Sequence, residues 1–344
     1  MSHHRRRPFL LLLCVFTIIA GVARCEDGSG GADADVGEID TPADGHEPSD
    51  VDSGADTTPW GPVPPKLETR GVFSLVWLSG TPYEMGQQHG ELLHDVIAEA
   101  MDFVSSDPVL SAMPIAAKNL GVLDMAREQS YTSLIEECQG LVDATEDTGF
   151  TMDLCLILNF GDILIEFLSS GLPPLEVEGP GCSGAVLSGA ATADGRLLHT
   201  RNLDWGSFNI DLLYHNPVLF LRQPTDGIPH VVVGFPLNLA PYSGMNLAGI
   251  SIGSHEADPA SSASQSRVGR SHVQMVGELL RQAQSLTDVE AFLSTEPGMT
   301  TELLVVGDGN AREGAVFELT ARAIGVRSQQ DGVVYATNHF EHPD

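Results

Sequence analysis

One cysteine stands out in the sequence because of its neighbours. Cys182 lies in the stretch PGCSGAVLSGAATADGRLLHTRNLDW, directly after Gly181 and at the start of a predicted strand. A thiol in that place can attack the Gly181 carbonyl, move the acyl group from nitrogen to sulfur and leave a thioester that water cleaves. Glycine suits the position because it has no Cβ and tolerates the strained backbone that exposes its carbonyl. The new chain begins with Cys182, whose α-amine, with a reference pKa of about 8, serves as general base beside its own sulfur.

The second half of the stretch supplies charged partners. The letters ADG place Asp194 and Gly195 at a predicted tight turn between two strands. In that register Arg201 and Asp204 lie near the Cys182 end of the first strand, so the arginine stabilises the thiolate and the aspartate holds the amine towards the sulfur. The competing interpretations are an ordinary core cysteine and an arginine and aspartate that only pair with each other. The combination of Gly-Cys-Ser, the turn and RNLD favours a nucleophile.

The elements that position these residues fall into a helical half and a strand-rich half. Residues 67–181 begin with a strand, GVFSLVWLSG, and continue with a helix from TPYEMG and helical patterns at about 116–146 and 151–170. From Cys182 onward the pattern changes to strands with hairpin turns, one helix at about 270–294, and strands again. Strands, then helix, then strands without β-α-β alternation predict an antiparallel α+β architecture.

Charge excludes one class of partner. The chain has 344 residues and a formal net charge of −30. Residues 26–66 form an acidic linker rich in Gly, Asp, Pro and Ser, which predicts a disordered tether. The remainder of the chain is acidic as well and would be repelled by phosphate backbones, so nucleic acid is not an expected partner.

The first 25 residues have the order of an export signal. Arg5–Arg7 precede an apolar stretch at 9–20, and small residues follow at a cleavage site. The apolar stretch is short for a membrane span, so we expect export to a bacterial periplasm, outer membrane or extracellular space. The run before Cys25 resembles a lipoprotein box, although Arg24 departs from the small residue expected there. A lipid on Cys25 would be the only membrane contact.

Two other cysteines and two histidines carry weaker signals. Cys138 and Cys155 lie in apolar helical patterns and are either buried small side chains or, in an oxidising compartment, a disulfide. His89 and His94 are five residues apart, a poor match for one helical face, and we assign His89 a structural role. Neither the cysteines nor the histidines show metal-ligand spacing, so no metal or organic cofactor is expected.

Four segments together resemble a known family. The chain is similar to the N-terminal-nucleophile (Ntn) cysteine hydrolases of the penicillin acyltransferase type, which process themselves. It is more distantly similar to bile-salt hydrolases, acid ceramidase and N-acylethanolamine amidase. The resemblance covers about residues 70–344. The segments are GTPYEMGQQHGELL, GCSGAVLSGAATADGRLLHTRNLDW, YSGMNLAGISIGSH and VYATNHF.

The last two segments add two asparagines. The resemblance implies that Asn246 helps to form an oxyanion hole and that Asn338 positions the amine or the tetrahedral intermediate, since amide donors suit developing oxyanion charge. It also makes Cys182 the nucleophile and base, with Arg201 and Asp204 orienting it. The competing interpretation for both asparagines is turn formation beside glycine and threonine.

The resemblance implies a fold and an activity. The expected fold is an αββα sandwich of antiparallel sheets. Cleavage between Gly181 and Cys182 would give a helical chain, 67–181, and a catalytic chain, 182–344, that remain associated. The expected reaction is attack on a linear amide of a small N-acyl or lipid-like substrate, with the acyl group passing from Cys182 to water or an amine. Relatives continue beyond TNHF, so the chain is expected to be a fragment or a truncated protein.

Two alternatives stay open. One is a lipid hydrolase, because phospholipase B-like proteins share this general chemistry. The other is a surface-tethered binding protein that keeps the fold without activity. A papain-like protease is disfavoured because no CGSCW-type segment surrounds Cys182.

Overall fold

The structure is a computed structural model, and it describes a defined part of the chain. The described residues are 63–108, 110–161, 163, 181–204, 215–257 and 264–342. They all belong to one structural unit, 61–344. The predicted signal, Cys25 and the linker up to residue 62 lie outside them. Lys66, the last residue of the predicted linker, already begins a strand. No helix in the described ranges has the length and apolarity needed to cross a membrane.

The helices and strands follow the predicted order. The described residues contain seven α-helices: α1 (Pro82–Ser106), α2 (Met113–Asn119), α3 (Val122–Gln129), α4 (Thr132–Ala144), α5 (Met152–Leu158), α6 (His272–Gln282) and α7 (Leu286–Thr295). They contain twelve strands: β1 (Lys66–Arg70), β2 (Phe73–Gly80), β3 (Gly181–Gly189), β4 (Gly195–Asp204), β5 (Val218–Pro224), β6 (His230–Gly234), β7 (Ser243–Asn246), β8 (Ile250–Glu256), β9 (Glu302–Asp308), β10 (Glu313–Leu319), β11 (Ile324–Ser328) and β12 (Val333–Ala336).

The strands form two sheets. Nine of them form a large sheet in the order β1-β2-β5-β6-β7-β8-β9-β10-β11, and three form a small sheet in the order β12-β3-β4. Every named pair is antiparallel except β2 and β5, which run parallel from Ser74 and Val218 to Gly80 and Pro224. The predicted antiparallel α+β class is therefore confirmed.

The layers explain the burial patterns of the strands. Helices cover one face of the large sheet, and the small sheet packs on its other face through a core that includes Val186, Val305 and Val316. All seven residues of β9 are consequently buried, which a continuous apolar run predicts for a strand covered on both faces. The outer face of the small sheet exposes Leu198 and Tyr335, so the described residues provide three of the four predicted layers.

Two predicted helices are interrupted. The pattern at 116–146 is three helices, because Gly121 adopts a left-handed φ of 73° and Ser130 is extended. The pattern at 270–294 is two helices, because Ala283 ends α6 in an extended conformation and Ser285 caps α7. A helical period continues across such breaks in the sequence, so periodicity alone does not reveal them.

Close contact between two helices is set by glycines. A Cβ on Gly86 of α1 would lie 2.0 Å from the Glu137 carbonyl oxygen of α4, and a Cβ on Gly140 of α4 would lie 2.0 Å from the Tyr83 carbonyl oxygen. Neither position can hold a side chain at this separation. The two glycines let the backbones of α1 and α4 touch and anchor the helical layer.

A disulfide adds a covalent link to the same layer. Cys138 of α4 and Cys155 of α5 are bonded and fully buried. Of the two interpretations that the sequence left open for these residues, the structure contains the disulfide.

Five histidines of the helical layer and of the two sheets are buried or half-buried. Burial lowers the pKa of these five, to about 3 for His230 and to about 4 for His89, His199, His255 and His272. His89 contacts the Pro236 carbonyl and its ring packs 4.7 Å from the Phe220 ring centroid. His94 instead contacts the Asp147 carboxylate at 2.8 Å near the surface. The contacts of His89 are those of a packed core residue, which favours the structural role predicted for it.

Candidate active site

The predicted hairpin brings Cys182 and Arg201 onto one face. β3 and β4 pair Cys182 with Leu203 and Gly184 with Arg201, so Arg201 lies near the Cys182 end of β3 as predicted, in a register four residues away from that of a tight turn at Asp194 and Gly195. Side chains alternate along a strand, so Cys182, Gly184 and Arg201 all face the large sheet. The loop is longer than a tight turn, since β3 ends at Gly189 and β4 begins at Gly195.

The Cys182 thiol is free and nearly enclosed. It is the only unpaired cysteine among the described residues, and it is 8% exposed. Burial raises the pKa of this thiol, the Arg201 charge lowers it, and the Glu302 charge raises it. Burial dominates, so the sulfur is held mainly as the thiol until a base or a stronger positive field acts on it.

Arg201 connects the sulfur to the large sheet. Its Nη2 lies 3.7 Å from Cys182 Sγ, a charge-assisted contact to sulfur. Its Nε and Nη2 also donate to the Ser254 carbonyl oxygen of β8 at 3.1 and 2.6 Å. A Cβ on Gly253 would lie 3.1 Å from Arg201 Cδ, so the side chain crosses the strand where β8 has a glycine. The guanidinium is thereby fixed on the sulfur.

Asn338 holds the other end of the cysteine. Its Oδ1 accepts a hydrogen bond of 2.6 Å from the Cys182 backbone nitrogen, and its Nδ2 donates to the Glu256 carbonyl oxygen at 2.6 Å. Asn338 follows β12, which pairs with β3. Both the nitrogen and the sulfur of Cys182 are therefore held by side chains that the sequence had singled out.

Asp204 lies beside the bond that is predicted to be cleaved. It pairs with Gly181, and a Cβ on Gly181 would lie 3.8 Å from the Asp204 Cβ and 4.0 Å from its Oδ2. Its Oδ1 accepts from Asn202 Nδ2 at 2.6 Å. Within the described part of the chain no ion pair joins Asp204 to Arg201, and Cys182 N donates to Asn338 instead of Asp204. The carboxylate is adjacent to the Gly181 end of the bond.

Asn246 is not part of this group. Its Nδ2 donates to the carbonyl oxygens of Leu280 at 3.0 Å and Ala283 at 2.8 Å, and its Oδ1 accepts from Ile250 N at 3.0 Å. It lies on the helix-covered face at the Ile250 end of β8. The four residues from there to Ser254 span about 13 Å of strand. The predicted oxyanion role is corrected: this amide caps the end of α6, and its donors are already used.

Two histidines that the sequence analysis did not single out line the same interface. His255 is fully buried, and a Cβ on Gly184 would lie only 2.6 Å from its Nε2. His199 Nδ1 lies 2.7 Å from Ser251 Oγ. Their lowered pKa leaves both imidazoles neutral at neutral pH. The feature of the sequence that could have indicated His255 is Gly184, because a residue without a side chain leaves the space that His255 occupies.

A cavity lies on the other face of the large sheet. It has a volume of about 40 Å³ and is lined in part by Glu137, Arg222 and Arg281. The Nε atoms of both arginines lack partners but are also closed to solvent, so a molecule in the cavity would not reach them. Arg222 instead pairs with Glu137 at 2.5 Å. The cavity gives no reason to place the chemistry away from Cys182.

Among the residues that the structure describes, no group of three or more His, Cys, Asp or Glu side chains could hold a metal ion. The absence of a cofactor stays a prediction.

No protein-family model matches the chain. An uncharacterized protein of Archaeoglobus fulgidus is 30% identical over an alignment of 307 residues, and the match covers 78% of this chain and 50% of that protein. The chain therefore spans about half the length of the curated relative that it matches.

Several solved structures share part of the fold. A Caenorhabditis elegans N-acylethanolamine-hydrolyzing acid amidase ortholog has a TM-score of 0.38 at 16% identity, covering 46% of this chain and 71% of its own. A conjugated bile acid hydrolase from Clostridium perfringens has a TM-score of 0.33 at 17% identity, covering 46% and 53%. Penicillin V acylase from Agrobacterium tumefaciens has a TM-score of 0.25 at 13% identity, covering 47% and 46%. These scores are all below 0.5, so the assignment of a function depends on the geometry of the site.

Proposed function

We propose that the chain is a self-processing Ntn cysteine amidase or acyltransferase that uses Cys182 first on its own backbone and then on a substrate amide. The observation that carries the proposal is that one side chain contacts the sulfur of Cys182 and another binds its backbone nitrogen. Arg201 contacts the sulfur at 3.7 Å, while Asn338 accepts from the nitrogen at 2.6 Å. A core cysteine needs neither contact, whereas a nucleophile whose own nitrogen serves as the base needs both ends fixed.

The first step is cleavage of the chain. The Cys182 sulfur attacks the Gly181 carbonyl carbon, forming a C–S bond while the C–N bond breaks and the nitrogen takes up the proton that the thiol loses. Water then attacks the thioester, giving a Gly181 carboxylate and a free Cys182 thiol. Arg201 favours the attacking thiolate by its charge. Asp204, adjacent to Gly181, orients the bond that breaks.

The second step repeats this chemistry on a substrate. The freed α-amine of Cys182 has a reference pKa of about 8 and takes the thiol proton. Asn338 Oδ1, which accepts from this nitrogen in the intact chain, keeps the amine in place. The sulfur attacks a linear amide carbonyl, the amine returns the proton to the leaving nitrogen, and an S-acyl enzyme remains. Water or an amine then takes the acyl group.

The substrate class follows from the bond that the site is proposed to break first. Self-cleavage of Gly181–Cys182 is itself the breaking of a linear C–N amide. We therefore propose small N-acyl amides as substrates. The Caenorhabditis elegans protein is named an acid amidase, the Clostridium perfringens protein a conjugated bile acid hydrolase and the Agrobacterium tumefaciens protein an acylase, but the proposal depends on the site and not on these names.

The two products would stay associated. β2 from the N-terminal part pairs with β5 from the catalytic part over seven residue pairs. The helices α1 to α5 also share one hydrophobic core with strands that follow Cys182. Export through the signal at 1–25, with or without a lipid on Cys25, is proposed as the setting.

Intact mass and N-terminal sequencing of the purified protein test the proposal. The wild-type chain should split into two parts, one of which begins Cys-Ser-Gly-Ala, while Cys182→Ala should stay whole. Ser183→Ala, which changes the next, exposed residue, is the matched control and should split like the wild type. A folded wild-type chain that stays whole would refute self-processing and favour the binding-protein alternative.

A further inference from the structure

A buried carboxylate lies behind Arg201. Glu302 is the first residue of β9 and is 1% exposed. Its Oε1 accepts a hydrogen bond of 2.6 Å from the Ser254 hydroxyl on the neighbouring strand β8. Its Oε2 lies 3.2 Å from His272 Nε2 of α6. A carboxylate buried to this degree costs free energy unless charged or hydrogen-bonding partners compensate it, so its place next to the site needs a reason.

The histidine on its far side is neutral. Burial lowers the pKa of His272 to about 4, and its Nδ1 lies 3.4 Å from the Thr300 hydroxyl. His272 is therefore neutral near pH 7 and does not cancel the charge of Glu302.

Ser254 connects the carboxylate to the nucleophile. Its hydroxyl donates to Glu302, while its carbonyl oxygen accepts from Arg201 Nη2 at 2.6 Å. The same Nη2 lies 3.7 Å from Cys182 Sγ. Ser254 is 2% exposed, so this row of contacts runs through the protein interior. Two residues thus separate Glu302 from the reacting sulfur.

We propose that Glu302 is a positioning residue for Arg201, fixing the guanidinium on the Cys182 sulfur through Ser254 and setting the charge that the sulfur experiences. The proposal deepens the proposed function, on which it rests. Because Glu302 is negatively charged, it stabilises the positive charge of Arg201 and helps to keep the guanidinium in place. The same negative charge opposes formation of the Cys182 thiolate.

The other groups that act on the thiol are accounted for. Arg201 of β4 lowers the pKa of Cys182, as does the hydrogen bond to Asn338, whereas Glu302 and Glu256 raise it. His199 and His255 are neutral near pH 7 because burial lowers their pKa to about 4. Asp204 acts on Arg201 more weakly than Glu302 does. Glu302 is the strongest negative influence on the sulfur among the described residues.

The first test separates the charge of Glu302 from its contacts. Glu302→Gln keeps an oxygen that accepts from Ser254 and has nearly the same volume, but it removes the charge. The midpoint of Cys182 alkylation against pH should move down by about one pH unit, a tenfold change in the ratio of thiolate to thiol. Glu137→Gln, which removes a buried carboxylate in the helical layer, is the matched control and should leave the midpoint in place. An unchanged or raised midpoint in Glu302→Gln overturns the proposal.

The second test addresses position. Ser254→Ala keeps the charge of Glu302 and breaks its contact, so self-cleavage measured above the thiol midpoint should slow about tenfold. A wild-type rate in Ser254→Ala overturns the proposal, even if the Glu302 variant does not fold. Failure of the proposed function is distinct, because then the wild-type chain itself does not cleave, while the alkylation midpoint still reports the charge of Glu302.

Discussion

Replacing Arg201 with glutamine should raise the pKa of the Cys182 thiol. Arg201 Nη2 lies 3.7 Å from the sulfur, and unit charges at that separation interact by about 4 kcal/mol at an effective dielectric constant of about 20. The guanidinium also donates to the Ser254 carbonyl oxygen, whose partial negative charge weakens the attraction between the guanidinium and the sulfur. We therefore expect about half of that energy, which corresponds to about one to two pKa units. Below both midpoints the thiolate fraction falls about tenfold to a hundredfold.

The assay is alkylation of Cys182 by iodoacetamide across a pH series, read by mass spectrometry after trypsin digestion. The chain has no Lys or Arg from 128 to 195, so the uncleaved protein gives peptide 128–196 and the cleaved protein gives 182–196. The two forms are thus scored separately. Arg196→Gln is the matched control, because Arg196 lies on the same strand but pairs with Asp194 at the surface. This variant loses the trypsin site at 196, so its two forms are read from peptides 128–201 and 182–201.

Two results would decide against the reasoning. A midpoint for Arg201→Gln that matches those of the wild type and Arg196→Gln would mean that the arginine does not act on the sulfur. A midpoint that moves down would mean that burial of the guanidinium, and not its charge, controls the thiol. Arg201→Lys should lie between the wild type and Arg201→Gln, because an ammonium group keeps the charge but not the planar fork that reaches both Ser254 and the sulfur.

Three further predictions concern the packing around the site. Gly184→Ala would place a Cβ 2.6 Å from His255 Nε2, and because overpacking costs about 1–3 kcal/mol, the melting temperature should fall; an unchanged value would mean that His255 can move. The disulfide between α4 and α5 joins residues that are 17 apart in the sequence, so its reduction should lower the free energy of unfolding by about 3 kcal/mol. Urea titrations measure this, and equal midpoints with and without dithiothreitol would contradict it. The five histidines with lowered pKa bind protons near pH 6.5 in the unfolded chain but only near pH 4 or below in the folded protein. The free energy of unfolding should therefore fall as the pH drops through this window, by about 1 kcal/mol per histidine at about pH 5.5. A constant melting temperature between neutral pH and that value would contradict the last prediction.

The nucleophile hairpin could be predicted because its signals are local. Strand alternation and a turn signal predict that Arg201 lies near the Cys182 end of β3, but the exact pairing of Gly184 with Arg201 depends on a longer loop and a register shift between Leu187 and Gly189. Asn338 was placed by resemblance, and it does reach Cys182 N because β12 pairs with β3. Local pattern and sheet pairing agree at these positions.

Other parts of the site could not be predicted in this way. The partners of Asn246 are the carbonyl oxygens of Leu280 and Ala283, more than thirty residues along the chain, and nothing near Asn246 indicates them. Glu302 begins an apolar strand and looks like a solvent-exposed boundary residue, yet it is buried because β9 is covered on both faces. Long-range burial decides the role of such residues, and periodicity carries no information about it.

The parallel pairing of β2 with β5 has a consequence for how the protein persists. Before cleavage the two strands belong to one chain, and folding brings them together within one molecule. After the proposed cleavage they belong to two chains, so a molecule that unfolds must find its partner again, and refolding becomes dependent on concentration. The processed protein would then last because it unfolds slowly, and heating and cooling it should give transitions that do not superimpose.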